Sequence, residues 1–311
     1  MASSSDIFAA RPLILGSRAS ALALAQADIV RARLAPLATD ILSLTTRGDR
    51  ILDRSLADAG GKGLVVKELE RPLLDGNCDA AVHSMKDMET IFADGTAIAA
   101  VLTREDRRDA LIGPFDSLES LPDGAVVGTA SVRRRALLHH HRPDLRIELL
   151  RGNVNTRLAA LADGRYDAII LAMAGLRRLA LDVPHTPLDP AIMPPAAAQG
   201  ALAIQVRDGD DDRARAVTTA IAGLNCPRAA AEVTAERAML AHLDGSCHTP
   251  IAASATLDDS ATLHLDGMVL RPDGTAAHRA SAAASQDEAA ALGDRLGARL
   301  LDAAGGRDFL A

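Results

Sequence analysis

The chain has 311 residues, 48% of them hydrophobic and 24% charged, with 34 basic against 41 acidic side chains and a formal charge of −7. That length allows about two domains of ~150 residues each and a substantial core, which excludes disorder as the dominant state and describes a soluble globular protein. Only five aromatic residues occur (Phe8, Phe92, Phe115, Tyr166 and Phe309), and the balance of charge is acidic, so base stacking and whole-surface polyanion binding are both excluded and no nucleic-acid partner is expected.

In chain order, residues 12–17 read as a strand, Leu22, Ala25, Ile29 and Ala32 recur at helical spacing within 19–37, and residues 41–46 alternate as a strand. A helix over about 64–74 and strands near 80–83 and 97–102 follow. A second alternation runs strand 125–128, helix 132–141, strand 146–150, helix 154–162 and strand 168–172. This pattern predicts α/β layers with largely parallel strands, in two similar lobes with a cleft between them. Pro184, Pro187, Pro190, Pro194 and Pro195 punctuate an expected crossing between domains, ahead of a strand over 201–206. Beyond Asn225 comes a long helix with Pro227 in its first turn and Ala229, Val233, Leu240 and Leu243 on one face. Two strand-like runs, 251–257 and 262–270, and a helix carrying Ala289, Leu292, Leu296, Leu300 and Ala303 on one stripe complete an α+β module.

Cys78, Cys226 and Cys247 form no C-x-x-C pair and cannot all be matched in disulfides, which fits a reducing compartment and makes the cytoplasm the expected location. The first residues lack a basic segment leading into an apolar core, and no run approaches the ~18 apolar residues of a spanning helix, so neither export nor membrane contact is expected.

Three places share one design, in which a strand ends, a small residue turns the chain, and polar or basic residues open a helix. They are Gly16-Ser17-Arg18-Ala19-Ser20, Gly128-Thr129-Ala130-Ser131-Val132-Arg133-Arg134 and Arg151-Gly152-Asn153-Val154-Asn155-Thr156-Arg157. Unpaired N–H groups and the helix dipole favour an anion at such a start, and guanidinium groups add forked donors suited to carboxylate or phosphate. Singly, Ser20, Ser131 and Asn153 also read as ordinary N-caps. Jointly, they point to a ligand with several negative groups. Gly60-Gly61-Lys62-Gly63 is no nucleotide P-loop, because Leu56 stands at the first glycine position and Gly63 where Ser or Thr must follow the lysine. It is either a plain surface loop or one that presents Lys62 to an anion. Ala81-Val82-His83-Ser84-Met85-Lys86-Asp87 runs off a buried-looking strand, leaving Lys86 and Asp87 at its C-terminal end, where α/β folds build sites. Asp87 there is a turn residue or a carboxylate that stabilises a cation; His83 reads as packed. Cys247 lies in a short loop between a helix and a strand, where a nucleophilic thiolate is accessible, whereas Cys78 and Cys226 read as small buried hydrophobes.

Together with Thr46-Arg47-Gly48-Asp49, Lys67-Glu68-Leu69-Glu70, Arg104-Glu105-Asp106, Asp167-Ala168-Ile169-Ile170-Leu171-Ala172, Gln199-Gly200-Ala201 and Thr234-Ala235-Glu236-Arg237, these segments resemble the porphobilinogen deaminase (hydroxymethylbilane synthase) family of tetrapyrrole biosynthesis over nearly the whole chain. The resemblance implies two lobes like those of type II periplasmic binding proteins, over 10–103 with 202–222 and over 104–201, and a small α+β domain over 223–311. It also implies a covalent dipyrromethane cofactor on Cys247. The expected activity is that of a transferase in heme biosynthesis, which condenses four porphobilinogen molecules head to tail with loss of ammonia and then releases linear hydroxymethylbilane by hydrolysis. On this resemblance Asp87 is the catalytic residue, stabilising the protonated pyrrole and the azafulvene cation. Arg18, Ser20, Lys86, Thr129, Ser131, Arg133, Arg134, Arg151, Gly152 and Gln199 would hold the cofactor. Arg18, Lys62, Arg157 and Arg178 would hold substrate carboxylates, with no metal and a monomeric state. Val65, Met88-Glu89-Thr90 and Ala130 depart from the usual family residues. Two other readings of the same residues are a non-enzymatic two-lobed carboxylate-binding protein, which predicts reversible binding unaffected by Cys247→Ser, and a cysteine hydrolase acting through acyl intermediates on Cys247.

Overall fold

A computed structural model describes residues 4–45, 64–243, 245 and 249–310. The elements run α1 (Ser4–Ala10), β1 (Leu13–Arg18), α2 (Ala21–Leu34), β2 (Thr39–Leu44), α3 (Leu64–Leu74), β3 (Ala80–Ser84) and β4 (Thr96–Val101). They continue with β5 (Asp109–Ile112), β6 (Val126–Gly128), α4 (Val132–His141), β7 (Arg146–Glu148), α5 (Val154–Ala162), β8 (Ala168–Ala172), α6 (Met173–Arg178) and β9 (His185–Pro187). The rest is β10 (Leu202–Arg207), α7 (Asp212–Ala222), α8 (Pro227–His242), β11 (Ile251–Leu257), β12 (Thr262–Leu270), β13 (Ala277–Ser285) and α9 (Ala289–Ala303).

The chain divides into two units, 1–104 with 201–230, and 105–200 with 231–311. The first holds a five-stranded sheet in the order β2-β1-β3-β10-β4. Strands β1, β2 and β3 are parallel, and β10 is antiparallel to both of its neighbours. Leu13, Leu15, Val82 and Ile204 of this sheet pack with Ala27 and Val30 of α2 and Val217 and Ile221 of α7. Removing such side chains from water, at about 1.5–3 kcal/mol each, is what drives the helices onto the sheet.

The second unit repeats the plan with the order β7-β6-β8-β5-β9, where β5 is the antiparallel strand. Each sheet is thus mixed: four strands run in one direction, as the alternation predicts, and the fourth in spatial order is reversed, making both of its pairings antiparallel. Both lobes are α/β, each built on one five-stranded mixed sheet. The same unit carries an antiparallel meander β11-β12-β13. Leu263, Leu265 and Val269 of that meander pack with Met239 and Leu243 on one side of the chain and with Leu292, Leu296 and Leu300 of α9. The α+β module is present as expected, but with a third strand that the sequence reading did not include. Beyond the proline-rich stretch, the chain changes unit at 200/201, and the prolines stay with the second unit.

Candidate functional site

In the first unit, the pairing of Gly16 with Ala81 in adjacent parallel strands brings Arg18 level with His83, so β1 and β3 end together. Ser17 Oγ donates to the Ala23 carbonyl at 3.0 Å, and buried Gln26 of α2 donates through Nε2 to Ser84 Oγ at 2.8 Å. These bonds tie the start of α2 to both strand ends. Ser20 caps α2 as expected, its side chain accepting from the Ala23 amide. Past Ser84 the chain makes one 3-10 turn, Met85–Asp87, which leaves Met85 buried, Lys86 half-buried and Asp87 exposed.

His83 is packed, as the sequence reading expects, and burial, reinforced by the nearby charge of Arg18, pulls its pKa down to about 4. A histidine whose folded pKa lies below its unfolded value of ~6.5 binds a proton preferentially in the unfolded chain between those values, so its contribution is complete above pH ~6.5 and declines toward the folded pKa. Stability should therefore fall by up to ~3 kcal/mol on acidification through that window, and His83→Gln should flatten the slope of denaturation midpoint against pH. An identical slope in the variant would show that another group governs the loss.

In the second unit, Ser131 and Asn153 cap α4 and α5, accepting from the amides of Arg134 and Thr156. Buried Thr129 supports the first of these turns by accepting from the Ser131 amide at 3.1 Å. Behind the α4 cap lies Asp109, the fully buried first residue of β5. Its Oδ2 accepts from Arg133 Nη2 at 2.6 Å, and its Oδ1 accepts from Arg134 Nη2 at 2.7 Å and from Gln199 Nε2 at 2.8 Å. Arg133 also donates to the Pro194 carbonyl at 2.6 Å and Arg134 to that of Ile170 at 2.9 Å.

Burial by itself would raise the Asp109 pKa, but the two guanidinium charges and their hydrogen bonds outweigh it and hold the carboxyl well below the usual range. Burial likewise lowers the pKa of Arg133, with Asp109 opposing the shift. Arg133, Arg134 and Gln199, which sequence reasoning assigns to the ligand, are therefore bonded first to a carboxylate of the chain itself. One anionic charge faces two cationic ones, so the trio keeps a net positive charge.

Gly152 opens the next turn at φ +103°, where a Cβ would lie 2.9 Å from the Thr156 side chain, and its carbonyl accepts from Arg157 Nε at 2.8 Å. The left-handed backbone and the close approach together select glycine there. Arg151 and Arg157 are half-buried at this helix start. Arg178, at the end of α6, donates to the Gly200 carbonyl at 2.6 Å. Burial pulls its pKa down to about 10, with Glu105 partly offsetting this, so it remains a cation at neutral pH. Lys62 and Cys247 lie outside the described residues. No helix among the described residues is long and apolar enough to cross a membrane.

A sequence model described as "Porphobilinogen deaminase, dipyromethane cofactor binding domain" matches residues 13–215, and one described as "Porphobilinogen deaminase, C-terminal domain" matches residues 230–302. The chain belongs to the porphobilinogen deaminase family. The porphobilinogen deaminase of Chromobacterium violaceum is 48% identical over 305 residues, covering 96% of this chain and 97% of that protein. That of Paraburkholderia phymatum is 47% identical, covering 96% and 92%. Among solved structures, a Brucella ovis ABC transporter / periplasmic binding protein with glutathione bound is 17% identical, covering 71% of this chain and 70% of that one, with a TM-score of 0.41.

Membership makes this a transferase of tetrapyrrole biosynthesis with a dipyrromethane-binding domain. The described residues fit such a group. A dipyrromethane bearing acetate and propionate arms is a polyacid; the first unit has a capped helix start at α2, and the second unit has its own at α4 and α5 beside the net positive Asp109 cluster. The Nε atoms of Arg133 and Arg134 are buried without a hydrogen-bond partner, as expected where further acceptors belong. Sequence reasoning assigns no role to Asp109 or Glu236, both of which are fully buried. The available signal was a charged residue beside an apolar run, in Asp109-Ala110-Leu111-Ile112 and in the face of α8.

Proposed function

We infer that this chain is a hydroxymethylbilane synthase, joining four porphobilinogen units head to tail on a dipyrromethane primer and releasing the linear tetrapyrrole by hydrolysis. The observation that carries this reading is the family match across both the cofactor-binding and C-terminal domains. The carboxylate-binding alternative has no such support, because it requires no cofactor-binding domain.

When bound, the dipyrromethane would supply the electron-rich pyrrole carbon to which the first substrate unit is joined, each later unit joining the ring added before it. The chain's part is to anchor anions, steady a cation and hold a tether. Arg18, Ser20, Lys86, Thr129, Ser131, Arg151 and Gly152 hold cofactor carboxylates, while Arg18, Lys62, Arg157 and Arg178 hold those of porphobilinogen. Arg133, Arg134 and Gln199 serve the cofactor as a preorganised group around Asp109. The substrate's C–N bond breaks with its electron pair leaving on ammonia, and the exposed carboxylate of Asp87 balances the positive charge left at the pyrrole N–H. The division into 10–103 with 202–222, 104–201 and 223–311 belongs to the same reading, supported by three separate sheets. So do a monomeric state and cytoplasmic residence, the latter supported by the free thiols Cys78 and Cys226, the first of them buried and raised to about 12 by that burial.

Cys247 is the tether. Intact-mass analysis of the purified protein should show a dipyrrole adduct that maps to the peptide containing Cys247, and Cys247→Ser should carry none and form no product. Wild-type protein without an adduct, after incubation with porphobilinogen, would overturn the assignment.

A further inference from the structure

The segment 194–200 is held from several sides within the second unit. Pro194 accepts from Arg133, and the Pro195 carbonyl accepts from the Ala253 amide at 3.0 Å. Ala198 then adopts φ +59°, a left-handed conformation that a residue with a Cβ keeps only when its surroundings impose it. The turn is closed by the Gln199 amide donating to the Ala196 carbonyl at 3.0 Å, and it is gripped from outside by Glu236 on α8. One oxygen, Oε2, accepts from the Ala198 amide at 2.6 Å, and the other, Oε1, accepts from the Ala255 amide of β11 at 2.7 Å. Glu236 is fully buried and its helical neighbour Glu232 accepts from Arg107 Nη2 at 2.9 Å and from the Leu257 amide at 3.2 Å. The residue that leaves the Ala198 turn is Gln199. Its Nε2 donates to the Arg107 carbonyl at 2.7 Å and to Asp109 Oδ1 at 2.8 Å, the oxygen shared with Arg134.

An unbroken line of short bonds thus runs from α8 through a backbone turn to the carboxylate that fixes both arginines of α4. We propose that Glu236 is a positioning residue for the condensation: it holds the Ala198 turn that seats Gln199 on Asp109, and so sets the arginine pair that receives ligand carboxylates. This rests on the function inferred above. Glu236 touches no ligand in this scheme. Its carboxylate is suited to the task because two acceptor oxygens match two converging N–H groups, whereas a glutamine offers one acceptor and turns an NH2 group toward the other amide. Because α8 also leads in sequence to Cys247, one helix serves both the tether and the anion-holding cluster.

The test is a double-mutant cycle between Glu236→Gln and Gln199→Ala, read as kcat and KM for porphobilinogen, the fraction of protein carrying the adduct by intact mass, and the denaturation midpoint. Each single variant should lose roughly ten- to a hundredfold in kcat/KM and load less adduct, as expected for displaced anchoring groups. If Glu236 acts through Gln199, the double variant is no worse than the poorer single one. Losses that multiply, or a Glu236→Gln protein with a lowered midpoint and wild-type kcat/KM, would overturn the proposal and leave Glu236 a structural cap. Should Glu236→Gln fail to fold, adding Ala198→Gly removes the need to force a left-handed alanine, and regained loading and turnover are expected. Failure to regain them would again overturn it. Wild-type protein with neither adduct nor product would instead sink the inferred function, an outcome distinct from multiplying losses in a loaded enzyme.

Discussion

Asp87→Ala lowers kcat for hydroxymethylbilane formation by roughly 10²–10⁴-fold, the range expected when a group that balances charge or moves a proton at the reacting centre is removed. The fold survives, because Asp87 is exposed at the end of a single 3-10 turn and its carboxylate makes no hydrogen bond or ion pair among the described residues. An exposed substitution of this kind usually changes stability by no more than ~0.5 kcal/mol. KM should change little if the arginines and Lys62 provide most of the ground-state binding. Asp87→Asn separates charge from shape, and it should be nearly as inactive if the negative charge is what acts. Initial rates with porphobilinogen and a thermal melt decide the matter, and a variant turning over near the wild-type rate rules out the assigned role.

Asp109→Ala has the opposite character. Its carboxylate is fully buried and stands between Arg133 and Arg134, whose side chains are only 4% and 7% exposed. Removing it leaves two like charges in a low-dielectric interior with nothing to oppose them, a loss of about 3–5 kcal/mol for a broken buried pair. Gln199 also loses one acceptor. The expected result is a large drop in denaturant midpoint together with failure to load the adduct. Arg178→Leu, which removes a half-buried cation without leaving a buried charge unopposed, should affect substrate handling more than stability. Because the Asp109 pKa is held below its unfolded value, its contribution is in place above pH ~4 and disappears only as pH falls further, so the difference between wild type and variant should be constant from pH 5 to 9. A midpoint within experimental error of wild type would show that the arginine pair does not depend on Asp109.

Much of this architecture is legible in the sequence because local signals agree. The helices at Val132–His141 and Val154–Ala162 begin one residue after a Ser or Asn cap, and the stripe of Leu292, Leu296 and Leu300 defines α9. Strand β13 escapes notice because Ala277–Ser285 is alanine-rich and lacks the branched and aromatic residues that favour strands; its conformation comes from nine paired positions along β12. Strand β5 is only four residues long, and its reversal relative to β8 is a property of the chain path that no local pattern encodes. The site divides in the same way. Helix starts and the exposed Asp87 are visible as motifs, while the partner of Arg133 and Arg134 is not. Asp109 lies 24 and 25 positions from those arginines and 90 from Gln199, so only the folded chain joins them.

Strand β10 stands between β3 and β4 in the first sheet, yet it is encoded after the whole of the second lobe's sheet. As the polypeptide leaves the ribosome, β1 to β4 therefore emerge without the strand that joins the last of them to the rest. The N-terminal lobe waits, with the backbone groups of β3 unpaired along one edge, until about a hundred further residues have been translated. Each newly made molecule passes through an interval in which that edge is open to pairing with other chains, and in which shielding by a chaperone or rapid elongation protects the yield of folded protein.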